Sequence, residues 1–404
     1  MTGSAPKPPA RAPETVAAAS GIASDAAFGA VAPPLYLSST FAFEGVGWEG
    51  PYAYSRTSNP SRDMLAETLA KLEGGAGAVV TASGMAAIDL VLSRLGPDDL
   101  VVAPHDCYWG TYRLLAARAA RRQFSVAFID QTDELAVAVA LEAGPRLLFI
   151  ETPSNPLMRV VDIESLAGQA RAAGAQVAVD NTFLSPALQQ PLALGADFVV
   201  HSTTKYLNGH SDVVGGAVIA AAQEDFDALS AWANTTGVAG APFDAYMTLR
   251  GLRTLFPRIE RQQRTAAALA AFLLGHPAVG AVHYPGLPSH PQHALATRQQ
   301  RGFGGMLSFE LAGGMEAVRA FVGALRAFTL AESLGGVESL VAHPETMTHA
   351  GMSEAARAEA GITSGLVRLS AGLENEADLL ADLDAGLRAA LACGAKPAAP
   401  FFAH

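Results

Sequence analysis

Cysteine is scarce in this 404-residue chain. Cys107 and Cys393 stand alone, with no CxxC spacing and no close pairing, which speaks against a disulfide framework or a structural zinc site. Basic residues are also in deficit. The 27 Lys and Arg against 38 Asp and Glu leave a formal net charge of −11, the wrong sign for a surface that tracks nucleic-acid phosphates. No apolar run approaches the about 20 residues of a bilayer span, the greasiest stretch being 266–274. Residues 1–15, rich in Pro, Ala and Ser, lack an apolar core and read as a tail rather than a signal peptide. These absences predict a cytoplasmic protein with a small-molecule ligand, no membrane or nucleic-acid partner and no metal.

The most telling shortage is lysine. Of the basic residues only Lys7, Lys71, Lys205 and Lys396 are lysines. Lys7 and Lys396 fall in Pro/Ala-rich tails, and Lys71 lies on the polar face of an amphipathic helical pattern over 64–72. Lys205 is left, in Thr203-Thr-Lys205-Tyr-Leu-Asn-Gly. A chain that elsewhere prefers Arg has used there the one cationic side chain able to deprotonate and form an imine, which points to chemistry.

What is abundant sets the architecture. Half of the residues are hydrophobic and 16% are charged, so the chain can bury a large core, and its length favours two domains. Residues 1–60 read as a tail and an irregular arm, punctuated by Pro33-Pro34, Gly45, Gly47, Gly50-Pro51 and Asn59-Pro60. Over 61–255, short apolar runs at 78–81, 100–103, 125–129, 147–150, 176–179 and 198–201 alternate with Ala-rich helical patterns such as 163–173. That alternation predicts a doubly wound α/β domain around a buried, mostly parallel sheet. Residues 256–404 predict a smaller α+β domain, with a long helix over 258–274, a strand over 306–311, a final amphipathic helix over 376–391 and a C-terminal tail.

Open α/β sheets bind ligands beyond the carboxyl ends of their strands, and four segments fall there. Ser83-Gly84-Met85-Ala86 follows a strand pattern and opens a helix, a geometry that seats a phosphate or serves only as a cap. Asp180 ends an apolar strand, where a carboxylate needs a cationic or donor partner unless it caps the next turn. Ser202 and Thr204 bring hydroxyls to the same edge as Lys205, one connection away from Asp180. In Asp106-Cys-Tyr108-Trp-Gly-Thr-Tyr-Arg113, Tyr108 is placed to stack on a flat ring and Arg113 to bind a carboxylate, although such an aromatic cluster is commonly core.

These segments resemble the Cys/Met-metabolism family of pyridoxal-phosphate (PLP) enzymes of fold type I, over about residues 20–391. The string His201-Ser-Thr-Thr-Lys205-Tyr-Leu-Asn-Gly-His-Ser-Asp212 is highly specific for it. Asp180-Asn-Thr-Phe-Leu-Ser-Pro and Ala331-Glu-Ser-Leu-Gly-Gly-Val-Glu-Ser-Leu340 are most similar to its bacterial γ-synthases. The resemblance implies that Lys205 holds PLP as a Schiff base and shuttles protons, that Asp180 pairs with the pyridine nitrogen, and that Tyr108 stacks on the ring. Asn155 would meet the ring hydroxyl, and Gly84, Met85, Ser202 and Thr204 the phosphate. Tyr54 and Arg56 would reach that phosphate from a neighbouring subunit, making a homodimer with shared sites and, as is usual for the family, a tetramer. Arg368 would bind the substrate α-carboxylate, with Ser333 and Glu332 beside it and Arg113 and Asn234 on its distal part.

The implied reaction is a γ-replacement that joins O-succinylhomoserine and cysteine into cystathionine. Glu332 favours chemistry at the γ-position, and Gly110, where the family's methionine γ-lyases usually carry Cys, lowers that reading. Trp109 and Glu345 depart from the family pattern of small residues, Trp109 either narrowing the pocket or packing behind it. Rival expectations are γ-elimination of cystathionine, a sulfhydrylase using sulfide, and a catalytically silent PLP-fold binding protein.

Overall fold

The computed structural model describes residues 11–48 and 50–393, so the tails that carry Lys7 and Lys396 lie outside the described residues. Seven strands form the larger sheet: β1 (Gly77–Thr81), β2 (Leu100–Pro104), β3 (Ser125–Ile129), β4 (Leu147–Glu151), β5 (Gln176–Asp180), β6 (Phe198–His201) and β7 (Gly216–Ala220), in the order β1-β7-β6-β5-β4-β2-β3. β4, β6 and β7 are buried at every position, as strands covered on both faces must be. Six strands run parallel, and β7 lies antiparallel between β1 and β6. This matches the expectation of a mostly parallel sheet. The link from β6 to β7, residues 202–215, contains no crossover helix, so the chain turns back on itself and can pair only antiparallel.

The helices flank this sheet. α1 (Pro13–Ala18), which falls where the sequence reads as tail and arm, begins with Pro in its first turn and buries Ala17 against α2 (Pro60–Glu73). Asn59 caps α2, its side chain accepting from the Ser61 and Arg62 N–H groups. α3 (Gly84–Leu92), α4 (Trp109–Ala120) and α5 (Gln223–Thr236) follow β1, β2 and β7.

α6 (Leu255–Leu274) joins two cores. Leu255 and Ile259 pack with Leu65, Leu69, Val199 and Ile219 under the larger sheet. Ala266, Leu269, Ala270 and Leu273 pack under a second, five-stranded sheet built from β8 (Val279–His283), β9 (Met306–Leu311), β10 (Thr329–Leu330), β11 (Leu340–Ala342) and β12 (Leu366–Ser370), in the order β10-β11-β12-β9-β8. The last helix, α7 (Glu376–Ala392), closes that second core with fully buried Leu379, Leu383 and Leu387, each side chain contributing roughly 2 kcal/mol of burial. No described helix is long and apolar enough to cross a membrane.

Candidate active site

β5 ends on Asp180 and β4 ends on Glu151, and the register places these two carboxyls side by side. β6 ends on His201, from which the chain turns through Ser202 to Lys205. α3 begins at Gly84, and β12 brings Arg368 across from the second sheet. Between them lies a cavity of about 300 Å³ lined by Gly84, Met85, Tyr108, Asn155, Asp180, Ser202, Thr204, Lys205, Glu332, Ser333 and Arg368. Tyr54, Arg56, Arg113 and Asn234 do not line it.

The Lys205 amine donates to Ser333 Oγ at 2.8 Å. Burial, reinforced by the neighbouring Arg368 charge and opposed by Glu332, pushes it down to about 8, so far more of it is a free nucleophile near neutrality than an exposed lysine would supply. Ser333 holds that acceptor in place at a backbone cost. Its φ of 127° lies in the left-handed region, unusual for a non-glycine residue. Its carbonyl also accepts from Arg368 Nη2 at 3.1 Å, while Arg368 Nη1 donates to Asn155 Oδ1 at 2.8 Å. The buried guanidinium, pushed down to about 10 by desolvation, is thus oriented before any carboxylate arrives.

Asp180 does cap a turn, its Oδ1 accepting from the Thr182 N–H at 3.0 Å, and it also lines the cavity. The turn-capping role is thus present, and the carboxylate also stands where a cationic partner could reach it. Burial raises its pKa against the pull of the Thr182 groups and of His201, so its charge is costly until a cation meets it. Glu151 was not singled out from the sequence, although the argument applied to Asp180 applies to it unchanged. Desolvation, then the Asp180 charge, holds its carboxyl well above the usual range. It accepts from the backbone N–H of Tyr108 at 2.9 Å and of Asn155 at 3.2 Å, so one buried side chain positions two loops. Thr182, which takes the Ser202 N–H at 2.9 Å, and Thr348 are further lining residues that the sequence did not announce. Thr348 comes from a distant loop with no local signal.

Two glycines are fixed by contact. A Cβ on Gly84 would lie 2.8 Å from Ser202 Cβ, so only glycine lets the first turn of α3 close on the Ser202 turn. A Cβ on Gly110 would lie 2.4 Å from the Tyr108 ring, so a side chain at that position would push the ring. Tyr108 itself is 43% exposed, its phenol pushed up by burial and then by Glu332. Trp109 packs behind the wall: it rests on the cluster of Leu157, Met352 and Ala360 and stacks on Tyr112 at 5.5 Å. Glu345 lies beside His343 outside the cavity. Cys107 is wholly buried, and desolvation followed by the Glu151 charge pushes its thiol well up, which makes it a poor nucleophile.

The arm is anchored elsewhere. Thr40 bridges Tyr54, Arg56 Nη1 donates to the Asn234 carbonyl at 3.2 Å, and Thr57 Oγ1 donates to Asn234 Oδ1 at 3.1 Å. Asn234, on α5, therefore holds the arm rather than sitting beside Arg113 in this chain's own cavity.

The donor set fits PLP. An amine already shifted toward its free form stands across from a carboxylate that needs a cation, as a protonated ring nitrogen is. Ser83 Oγ caps α3 by accepting from the Ala86 N–H, which leaves the Gly84 and Met85 N–H groups at the helix start beside Ser202 on the same cavity, a set suited to a phosphate; Thr204 also lines it, its hydroxyl donating to the Gly215 carbonyl at 3.2 Å and accepting from the Gly215 N–H at 3.0 Å.

The model of the Cys/Met metabolism PLP-dependent enzymes matches residues 14–388. This chain belongs to that family. It is 55% identical to cystathionine γ-synthase of Escherichia coli (strain K12) over 377 residues, 93% of this chain and 98% of that one. Crystal structures of cystathionine γ-synthase from Xanthomonas oryzae pv. oryzae, in complex with aminoacrylate and cysteine or with cystathionine, match with a TM-score of 0.94 at 56% identity, covering 95% of this chain and 99% of theirs. A lyase is similar at a lower level. Cystathionine γ-lyase of Bacillus subtilis (strain 168) shares 44% over 367 residues, 91% of this chain and 97% of that one. The chain is thus a PLP-dependent enzyme of fold type I.

Proposed function

We propose that this enzyme carries out γ-replacement, taking O-succinylhomoserine and cysteine to cystathionine and succinate in methionine biosynthesis. The observation that carries the reading is Lys205 on Ser333, next to Glu332, in one cavity with Asp180 and Arg368. Bound PLP supplies the electron sink that stabilises negative charge on the substrate. Lys205 attaches the cofactor and then moves protons at the substrate Cα. Asp180 would hold the ring nitrogen charged, Asn155 would meet the ring hydroxyl, Tyr108 would cover the ring face, and Gly84, Met85, Ser202 and Thr204 would take the phosphate. Arg368 takes the α-carboxylate, and Ser333 Oγ holds the Lys205 amine. Glu332, whose charge opposes the loss of the Lys205 proton, faces the reacting side chain.

Residues 61–255 form the cofactor domain and 256–404 the smaller one. Tyr54 and Arg56, on an arm outside their own cavity, complete the phosphate site of a second copy, so the working unit is a cytoplasmic dimer that pairs further into a tetramer. Arg113 and Asn234 meet the distal carboxylate of the succinyl group. The identity to the γ-synthases, above that to the γ-lyase, favours synthesis over cleavage. Incubation with O-succinylhomoserine plus cysteine, compared with cystathionine alone, tests this: cystathionine should form faster than α-ketobutyrate is released. The opposite order would make the enzyme a lyase, and a preference for sulfide over cysteine would make it a sulfhydrylase.

A further inference from the structure

Beneath the cavity, on the opposite face of the larger sheet from Asp180, lies a buried polar cluster that none of these roles uses. Glu73 is the last residue of α2, the negative end of a helix and an unfavourable place for a carboxylate. It is nonetheless almost wholly buried, as are His201 and Asn181. A single oxygen, Glu73 Oε1, accepts from His201 Nε2 at 2.6 Å and from Asn181 Nδ2 at 2.9 Å. The amide orientation of Asn181 is fixed independently: Nδ2 also donates to the Gln189 carbonyl at 2.9 Å, and Oδ1 accepts from Gln189 Nε2 at 3.1 Å.

The sequence positions of these partners give the cluster its meaning. Asn181 directly follows Asp180 at the end of β5, and His201 directly precedes Ser202 at the end of β6. We propose that Glu73 is a positioning residue for the cofactor site: its carboxylate clamps the ends of β5 and β6 from below and so sets the spacing between Asp180 and the turn from Ser202 to Lys205. The backbone already joins these ends through Asn181 N–H to the Val200 carbonyl and Ser202 N–H to Thr182 Oγ1. Glu73 adds a side chain from α2 that touches both. A buried polar pair of this kind is weak support for stability, since apolar residues of equal volume would serve as well. A pair that holds two ligand-bearing strand ends in register accounts for its presence. The inference rests on the assignment of Asp180 and Lys205 to the cofactor.

The test compares full-length Glu73→Leu, His201→Leu and His201→Gln with the parent. The readouts are the melting temperature of the apoprotein, the dissociation constant for added PLP and the visible absorption band of the bound cofactor as a function of pH. Glu73→Leu, which removes the oxygen that both partners share, and His201→Leu should weaken PLP binding by about tenfold or more, the scale of leaving a buried polar partner unsatisfied, and should displace the band. His201→Gln keeps an N–H directed at Glu73 and should stay within about threefold of the parent. Folded Glu73→Leu and His201→Leu proteins with the parent's PLP affinity and band would overturn the proposal. So would a lowered melting temperature with affinity and band unchanged, because the cluster would then only tie α2 to the sheet. If Glu73→Leu does not fold, the contrast between the two His201 variants decides by the same criteria. In either failure, borohydride reduction of the parent still labels Lys205. A label elsewhere would instead withdraw the site assignment and this proposal with it.

Discussion

The strand-end cavity and the arm that leads into the fold are built on opposite terms. In the cavity the key charged groups are sequestered and held: Lys205 by Ser333, Arg368 by Asn155 and Ser333, and Glu151 by two backbone N–H groups. On the arm, Phe28, Val31, Leu37, Phe43, Val46 and Tyr54 are exposed, Phe28 at 94%. A run of exposed apolar side chains is what a second protein surface covers. The cavity is therefore intelligible from one chain, whereas the exposed arm is where the proposed contact with a second copy would be made.

The sharpest way to break this contrast is to remove the residue on which the cavity converges. Lys205→Ala should abolish turnover, a loss of at least about a thousandfold, while the apoprotein keeps its fold. A steady-state assay with activated homoserine and cysteine reads it, and appreciable residual turnover would move the imine elsewhere. Next in size is the effect of burial on the same amine. Its folded value of about 8 against 10.5 for an ordinary exposed lysine raises the free-amine fraction at neutral pH on the order of a hundredfold. The rate at which apoprotein attaches PLP should therefore climb with pH and level off above about 8. The sign for stability follows from the same shift. Between these two values the unfolded chain binds the extra proton, so apoprotein stability contributed by this group rises with pH across that window. An attachment rate still climbing at 10.5, the ordinary lysine value, would mean that the cavity is as wet as the arm.

The two regions also differ in how far the sequence betrays them. The runs at 125–129, 198–201 and 306–311 coincide with β3, β6 and β9 because each is a short apolar segment between clear breakers. β7 was missed because Gly216–Ala220 is an unpatterned apolar run straight after a glycine-rich loop, and periodicity says nothing about such a strand or its direction. Asp180 and Lys205 stand out in the sequence because chemistry makes each costly in its setting. Glu151 carries the same signal at the end of β4 and needed only the same argument. Thr348 carries none, since only the path of the second sheet brings its loop to the cavity. Glu73 is hidden for a different reason: in sequence it is an ordinary acidic residue at a helix end, and its partners are more than a hundred residues away.

Arg56→Ala sharpens the contrast from the side of the arm. The Arg56 side chain is exposed and touches its own chain through one carbonyl, so its loss should leave folding unchanged. If the arm completes the phosphate site of a second copy, PLP affinity falls by about tenfold, the scale of a lost charge-assisted contact. Titration of the apoprotein with PLP measures it. Mixing the Arg56→Ala protein with Lys205→Ala adds a second readout, because a shared site restores a fraction of fully intact centres. Unchanged affinity together with no restoration would confine the cavity to one chain.

The smallest expected effect separates two uses of Asn234. Its carbonyl holds Arg56 and its side chain holds Thr57, so Asn234→Ala removes the second contact and keeps the first. An exposed hydrogen bond of this kind is worth no more than about 1 kcal/mol, which predicts PLP affinity weakened about twofold, well short of the Arg56→Ala effect. The value of KM for the activated homoserine should stay at the parent level if Asn234 serves only to anchor the arm. A raised KM with unchanged PLP affinity would instead place the Asn234 amide against the distal end of the substrate. Since Asn234 does not line its own cavity, that contact would have to be made in the neighbouring copy, and the arm and α5 would then enter the second site as one piece.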